Sequence, residues 1–345
     1  MKNIKIQNSY IGENQPCFLI AEIAQAHEGS LGFAHAFIDA AADAGADAIK
    51  FQTHYADHES TKNEKFRINF SYEDKTRYDY WKRMEFTKSE WIQLSNHCKK
   101  RNIIFLSSAF SIEAVNILQE IGMPAWKVGS GEIFSKDLLK VMASTKKPIL
   151  LSTGMANWDE INEVVNLLGN NEILLFQTTS KYPTPLSEVG LNNLDELKCF
   201  DFPIGLSDHS GTVFPSITAI SRGISALELH VTFHKKSFGP DTKASITFEE
   251  FEFIKKTRDA VYLMDNSKVD KNDMALNLNK MRSSFSKSAA PKMHLKKGQI
   301  ISKNMVTFKK PGTGIKSNEI KKIIGKVLKK DILPDELFSY EHFHD

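Results

Sequence analysis

Four side chains able to carry charge or ligate a metal sit inside, or directly after, apolar runs of this chain. Lys50 lies in DAIKF (Asp47–Phe51) and Lys127 in AWKVG (Ala125–Gly129). His230 closes ALELH (Ala226–His230), and His209 follows PIGLS (Pro203–Ser207). Apolar surroundings penalise charge, so a lysine there needs an anionic partner. That partner could be a ligand. Ser107, Ser108 and Ser130, with Gly129 and Gly131, add hydroxyls and open backbone donors at the ends of neighbouring runs. Two ammoniums with Gly/Ser loops suit a phosphate or a carboxylate. The competing reading is a pair of structural Lys–carboxylate bridges, for example Lys50 with Glu22. His209 and His230 at equivalent run ends suggest a divalent metal with open coordination positions. A packed or hydrogen-bonded imidazole is the plainer alternative. No His-x-His closes the first run, which argues against a two-metal amidohydrolase-type centre.

These residues need a scaffold that brings run ends together. Eight short apolar runs alternate with helical patterns: FLIAEI (Phe18–Ile23), DAIKF, IIFLS (Ile103–Ser107), AWKVG, PILLS (Pro148–Ser152), EILLFQ (Glu172–Gln177), PIGLS and ALELH. They are continuously apolar, as parallel strands buried on both faces are. Leu31, Ala34, Phe37, Ile38, Ala41 and Ala42 form a helical stripe that Gly45 ends. Thr87 with Glu90, and Thr247 with Glu250, are capping-box pairs; Ser111 and Asn157 are N-caps. Eight βα units in this order predict a (β/α)₈ TIM barrel, with an open doubly wound sheet as the alternative. In a barrel, chemistry gathers at the C-terminal strand ends. There the sequence puts Glu22, Lys50, Gln52, Ser108, Lys127, Ser130, Glu132, Ser152, Gln177, Ser207, Asp208, Glu228 and both histidines.

The expected boundaries are a barrel over 1–266, a polar linker over 267–282 and a small β-rich module over 283–345. Its clearest β-like piece is QIISKNMVTF (Gln299–Phe308). The connection from Tyr55 to Thr87 is long and contains FRINFSYEDKTRYDYWKRMEF (Phe66–Phe86). Such a loop is a lid or substrate wall, or else a surface excursion with its own aromatic cluster.

The net charge of +3 is too mild to indicate a nucleic-acid binder. It is unevenly spread: the chain from Lys268 onward carries +9 and the preceding part −6. A basic module of this kind could bind polyanions, or cover an anionic substrate site. Three scattered cysteines, Cys17, Cys98 and Cys199, form no metal-type spacing and no disulfide framework. The first residues lack a signal-peptide pattern, and no apolar run is long enough to span a membrane. The expectation is a cytoplasmic protein with no nucleic-acid and no membrane partner.

AEIAQAHEGSLGFAHAFIDAAADAGADAIKFQTH (Ala21–His54) resembles the opening signature of the sialic acid (nonulosonic acid) synthase family. Further similar segments are FLSSAFS (Phe105–Ser111), WKVGSGE (Trp126–Glu132), LSTGM (Leu151–Met155), YPTP (Tyr182–Pro185), IGLSDH (Ile204–His209), ELH (Glu228–His230) and GPD (Gly239–Asp241). LKKGQIISKNMVTFKKPGTG (Leu295–Gly314) resembles the family's antifreeze-like SAF domain. The resemblance implies condensation of phosphoenolpyruvate with an amino sugar. It implies that Lys50, Ser108, Lys127, Ser130 and Ser207 hold phosphoenolpyruvate. Glu22, Gln52, Tyr182 and Asp241 would face the sugar, joined by Lys310 of the SAF domain. His209 and His230 would hold a divalent cofactor, Mn²⁺ or else Mg²⁺ or Co²⁺. Glu132, with Glu22 and Lys127, would be catalytic. It also implies a domain-swapped homodimer in which one subunit's SAF domain covers the other's barrel mouth.

Ala24, Ala26, Ala109, Ser180, Leu229 and Lys310 depart from the family's usual residues. They leave the acceptor open between N-acetylmannosamine and the trideoxy diacetamido sugars that lead to legionaminic or pseudaminic acid. Two rival classes stand beside this reading. One is a synthase or aldolase acting on another aldehyde. The other is a non-catalytic carbohydrate-binding relative.

Overall fold

The structure is a computed structural model; it describes residues 3–66 and 68–344, so Arg67 of the aromatic-rich connection lies outside the described residues. The chain divides into two compact units, Met1–Asn266 and Ser267–Asp345.

Eight parallel strands form the barrel of the first unit: β1 (Phe18–Ala24), β2 (Ala48–Thr53), β3 (Ile104–Ala109), β4 (Trp126–Val128), β5 (Ile149–Ser152), β6 (Ile173–Thr178), β7 (Ile204–Asp208) and β8 (Ala226–Thr232). Each pairs with the next, and β8 pairs with both β7 and β1. The sheet therefore closes, and the unit is a TIM-type barrel rather than an open doubly wound sheet. Eight helices follow the strands in order: α1 (Leu31–Asp43), α2 (Lys88–Lys100), α3 (Ile112–Ile121), α4 (Lys136–Ser144), α5 (Trp158–Leu168), α6 (Asn193–Leu197), α7 (Phe214–Ser221) and α8 (Phe248–Asn266). Their starts are written locally. Ser30 accepts from Phe33 N, Ser111 accepts from Ala114 N, and Thr87/Glu90 and Asn157/Glu160 close full capping boxes.

The strand period of two sorts the barrel interior by height. Phe18, Ile20, Ala48, Ile104, Leu106, Leu150, Leu174 and Phe176 fill its lower part. Ile4, Ile6 and Ile11, from the antiparallel hairpin Ile4–Ile6/Ser9–Ile11, pack beneath them. Two residues further along the same inward face, Ile20 gives way to Glu22, Ala48 to Lys50 and Leu106 to Ser108. The apolar plug, worth about 1.5–3 kcal/mol per fully buried large side chain, fixes the height at which the polar layer begins.

The Tyr55–Thr87 connection carries two short helices, Ala56–Glu59 and Arg77–Met84. Arg83 ties it down by ion pairs to Asp74 (2.8 Å) and Glu28 (3.0 Å).

In the second unit, Ser288–Pro291 (β9) pairs antiparallel with Val306–Lys309 (β10). Ala289, Leu295, Ile301, Val306, Ile315, Ile323, Leu328, Ile332, Phe338 and Phe343 form its core. The sequence reads as short β-like pieces over Gln299–Phe308. The structure gives strand only at its end, because a 3₁₀ turn at Lys303–Met305 interrupts the run. The expected linker region holds two short helices, Lys271–Asn277 and Asn279–Phe285, with no fully buried residue in either.

Candidate active site

Register brings the polar strand ends into one layer. Glu22 lies opposite Lys50 across β1/β2 and opposite His230 across β8/β1; Ser108 lies opposite Lys127, and Ser207 opposite Glu228. Lys50 Nζ is 2.6 Å from Glu22 Oε2, 3.9 Å from Glu228 Oε2, and donates to Ser108 Oγ at 3.2 Å. Lys127 Nζ is 3.2 Å from Glu228 Oε1 and donates to Ser152 Oγ at 2.8 Å. Ser207 Oγ donates to Glu228 Oε1 at 2.9 Å. The Lys50–Glu22 bridge weighed against a ligand cradle is thus present, inside a buried network of two ammoniums and two carboxylates.

Burial opposes every charge in this network, and the neighbours decide the outcome. Burial would push the Glu228 carboxyl up, but Lys127 and Lys50 outweigh it and hold the group down at about 2. Burial pushes Glu22 up to about 7, and Lys50 offsets only part of that. Burial would lower Lys50, yet Glu22 and Glu228 hold it above the ordinary lysine value. Burial lowers Lys127, and Glu228 compensates incompletely. A second anion reaching these lysines would compete directly with the two carboxylates.

The remaining candidates surround this layer. Gln52 Nε2 donates to Glu22 Oε1 at 3.1 Å. Ser130 Oγ accepts from Gly154 N at 3.3 Å. Glu132 opens a 3₁₀ turn after β4 and accepts from Ser135 Oγ at 3.0 Å. Burial raises its carboxyl above the usual range, Ser135 offsets part, and the charge of Glu59 adds to the rise. Tyr182 stacks on His209 with ring centroids 4.2 Å apart, and its hydroxyl lies 3.2 Å from His209 Nε2. The His209 and His230 rings are 5.2 Å apart, and Asp241 Oδ2 is 4.0 Å from His230 Nδ1. Lys310 belongs to the second unit, where its ammonium lies 5.0 Å over the Phe285 ring.

Among the described residues, no group of three or more His, Cys, Asp or Glu side chains forms a metal-holding cluster. The two imidazoles nevertheless have the chemistry of ligands. Burial lowers both, His209 to about 4 and His230 well below the ordinary value, so both are neutral. His209 Nδ1 lies 2.9 Å from the Thr179 carbonyl, which fixes its hydrogen there and leaves the Nε2 lone pair available.

Three buried groups were only strand-end candidates or went unremarked in the sequence. Glu228 sits between the two lysines, Ser152 binds Lys127, and His54 binds Gln52. Glu228 and Ser152 share the inward strand face with Lys50 and Lys127, and that face is readable by counting in twos. Asp208 and Ser107, by contrast, do not face the lysines. Asp208 accepts from Ser210 N (2.9 Å), Ser210 Oγ (3.1 Å) and Ser216 Oγ (3.3 Å), and so fixes a turn. Ser107 Oγ pairs with Thr53 Oγ1 at 2.8 Å.

A barrel mouth with buried paired lysines narrows the relatives to be considered, and sequence comparison decides among them. The NeuB family matches residues 37–269, and the SAF domain matches residues 287–344. The chain belongs to the NeuB family. It is 36% identical over 330 residues to N,N'-diacetyllegionaminic acid synthase of Campylobacter jejuni, covering 92% of this chain and 98% of that protein. It is 31% identical over 324 residues to a pseudaminic acid synthase of the same species, covering 91% and 93%. Among solved structures, the N-acetylneuraminic acid (sialic acid) synthetase of Leptospira borgpetersenii, crystallised with citrate, superposes with a TM-score of 0.72 at 29% identity. That match covers 82% of this chain and 97% of the other. The NeuB match falls on the barrel unit, and the small second unit is the SAF domain. Among the described residues, no helix is long and apolar enough to cross a membrane.

Proposed function

We propose that this NeuB-family protein condenses phosphoenolpyruvate with an N-acylated amino sugar, giving a nine-carbon nonulosonic acid and phosphate. The observation that carries this reading is the buried pair Lys50 and Lys127, flanked by the Ser108, Ser152 and Ser207 hydroxyls, with neutral Gln52 on Glu22 and Tyr182 on His209. Relatives named for legionaminic, pseudaminic and sialic acids support the class and leave the sugar open among N-acetylmannosamine and trideoxy diacetamido hexoses.

In this mechanism the lysines and serines, with Ser130, bind the phosphate and carboxylate of phosphoenolpyruvate. Glu22, Gln52, Tyr182 and Asp241 orient the open-chain sugar. The methylene carbon attacks the aldehyde carbon, and the aldehyde oxygen takes a proton as it becomes a hydroxyl. Water adds to the cationic enol carbon and gives a proton to Glu132. The tetrahedral adduct then expels phosphate and leaves the keto acid. Lys127 and Lys50 stabilise the developing phosphate charge, more strongly where water is excluded. His209 and His230 fit a divalent ion, Mn²⁺ with Mg²⁺ or Co²⁺ as substitutes, which when bound supplies Lewis-acid polarisation of the aldehyde oxygen. The reading includes a homodimer in which the partner's Lys310 completes the sugar side. The three free cysteines suit a cytoplasmic setting.

Phosphate release from phosphoenolpyruvate, measured against a panel of amino sugars with Mn²⁺ and with chelator, tests the reaction. Release that requires one of these sugars supports it; release with none of them overturns it. Mn²⁺ binding, read by electron paramagnetic resonance, should weaken in His209→Ala and His230→Ala while phosphoenolpyruvate binding survives. Undiminished Mn²⁺ binding in both variants would remove these two residues from the metal assignment.

A further inference from the structure

Beyond the residues assigned above, one buried imidazole is bound into the sugar side of the mouth. His54 lies one residue past β2, with its side chain 4% exposed. Its ring is sandwiched between Trp81 (centroids 3.8 Å, planes 8° apart) and Phe110 (4.2 Å, 12°). His54 Nδ1 is 2.6 Å from Glu59 Oε1, and His54 Nε2 is 3.2 Å from Gln52 Oε1. Gln52 Oε1 also accepts from Gln25 Nε2 at 3.3 Å, while Gln52 Nε2 donates to Glu22.

The chemistry of these groups fixes the hydrogens. Gln52 Nε2 donates to Glu22 Oε1 and Gln52 Oε1 accepts from Gln25 Nε2, so the amide oxygen is the atom that faces His54. His54 Nε2 then carries a hydrogen. Nδ1 faces the Glu59 carboxyl group at 2.6 Å, and the two aromatic faces on either side hold the ring in place. Both Glu59 and Trp81 come from the Tyr55–Thr87 connection, on its first and second short helices, so this segment reaches Gln52 through one ring.

We propose that His54 is a positioning residue: clamped by Glu59, Trp81 and Phe110, it holds the Gln52 carboxamide in the orientation that supports Glu22 and faces the sugar. The assignment rests on the sugar-side role given to Gln52 and Glu22 above. It gives the aromatic-rich connection a defined task, because displacing the segment frees the ring that orients Gln52. A Gln52 free to rotate would present its oxygen to Glu22, which repels it.

His54→Phe keeps a stacking ring and removes both hydrogen bonds. It should melt close to the wild type, leave the KM of phosphoenolpyruvate within about twofold, and raise the KM of the sugar by roughly tenfold, the size of one lost hydrogen bond. His54→Gln, which keeps a donor toward Gln52, should recover part of that loss. The decisive comparison is a double-mutant cycle with Gln52→Ala. If His54 acts through Gln52, adding His54→Phe to Gln52→Ala changes the sugar KM no further. A full additive effect in the cycle, or an equal rise in both KM values, overturns the assignment. The resting protein gives a readout that does not depend on turnover. In ¹⁵N-histidine NMR, His54 Nε2 should carry a hydrogen in the wild type, and its chemical shift should move in Gln52→Ala. A His54 Nε2 without a hydrogen would contradict the clamp even if the enzyme is active. A wild type inert toward every sugar, with the Nε2–H bond to Gln52 intact, would remove the functional reading and leave the clamp standing.

Discussion

Glu132, just after β4, and Glu228, on β8, are carboxylates of the same barrel, and their surroundings give them opposite tasks. Glu228 faces two ammoniums and stays ionised, so it cannot exchange a proton near neutrality. Glu132 is half-buried and is raised by burial, with Ser135 offsetting part of the rise and the Glu59 charge adding to it. A carboxyl raised in this way suits proton transfer close to neutral pH. Glu132→Gln should keep both KM values within a few-fold and lose at least ~10²-fold in kcat. The sign of the pH effect follows. Glu132 accepts a proton in its ionised form, so the wild-type rate falls as pH drops through its raised value. That acid limb should lie above the ordinary carboxyl range and vanish in Glu132→Gln. A variant with normal turnover and weakened sugar binding would give Glu132 a binding role instead.

At the scale of elements, the strand ends are held by turns with little free space. Gly154 follows β5, and its N–H donates to Ser130 Oγ. A Cβ at Gly154 would lie 2.7 Å from Ser180 Oγ, 2.9 Å from Ser130 Oγ and 2.9 Å from the Thr178 carbonyl. The hydroxyls could rotate aside, but the carbonyl belongs to the sheet edge and cannot. Gly154→Ala should therefore displace Ser130 and raise the KM of phosphoenolpyruvate several-fold, with the far-UV circular dichroism unchanged. Steady-state kinetics with both substrates checks it; a selective rise in the sugar KM would contradict the placement of Ser130. The barrel strands were legible because parallel strands buried on both faces leave continuous apolar runs, and closure follows from their number. Glu228 and Ser152 were legible as strand-end residues but not as partners of the lysines, since register across the barrel is not written in any one strand. His54 was hidden for a different reason: its clamp joins β2 to Trp81, twenty-seven positions onward in the chain, and to Phe110 beyond β3. The helices at Lys271–Asn277 and Asn279–Phe285 escaped because they bury no stripe, and helical periodicity is visible only where one face is apolar.

At the scale of the molecule, charge is partitioned between the two units. The part from Lys268 onward carries +9, against −6 for the rest. Anionic phosphoenolpyruvate and a basic SAF domain are complementary in sign, and the partner's Lys310 is proposed to meet the neutral sugar. Lysine offers a compact point charge there instead of a planar fork, so its loss should act on the sugar alone. Lys310→Ala should raise the sugar's apparent KM and leave that of phosphoenolpyruvate nearly unchanged. Mixing Lys310→Ala with Glu132→Gln subunits separates a contact across the dimer from one within a chain. In a mixed dimer with exchange, one mouth carries both lesions and the other neither, so activity at low sugar concentration should reappear. Mixed dimers that form and restore nothing would confine Lys310 to its own chain or to the surface.

All of these expectations depend on one event, the joining of three phosphoenolpyruvate carbons to an amino sugar. Mass spectrometry of the product made from uniformly ¹³C-labelled phosphoenolpyruvate and the accepted sugar reads that event directly. The predicted result is an acid whose mass is that of the sugar plus a pyruvate unit, with every phosphoenolpyruvate carbon retained in it and one phosphate released per molecule formed. Labelled pyruvate and phosphate appearing with the sugar unchanged would contradict the account.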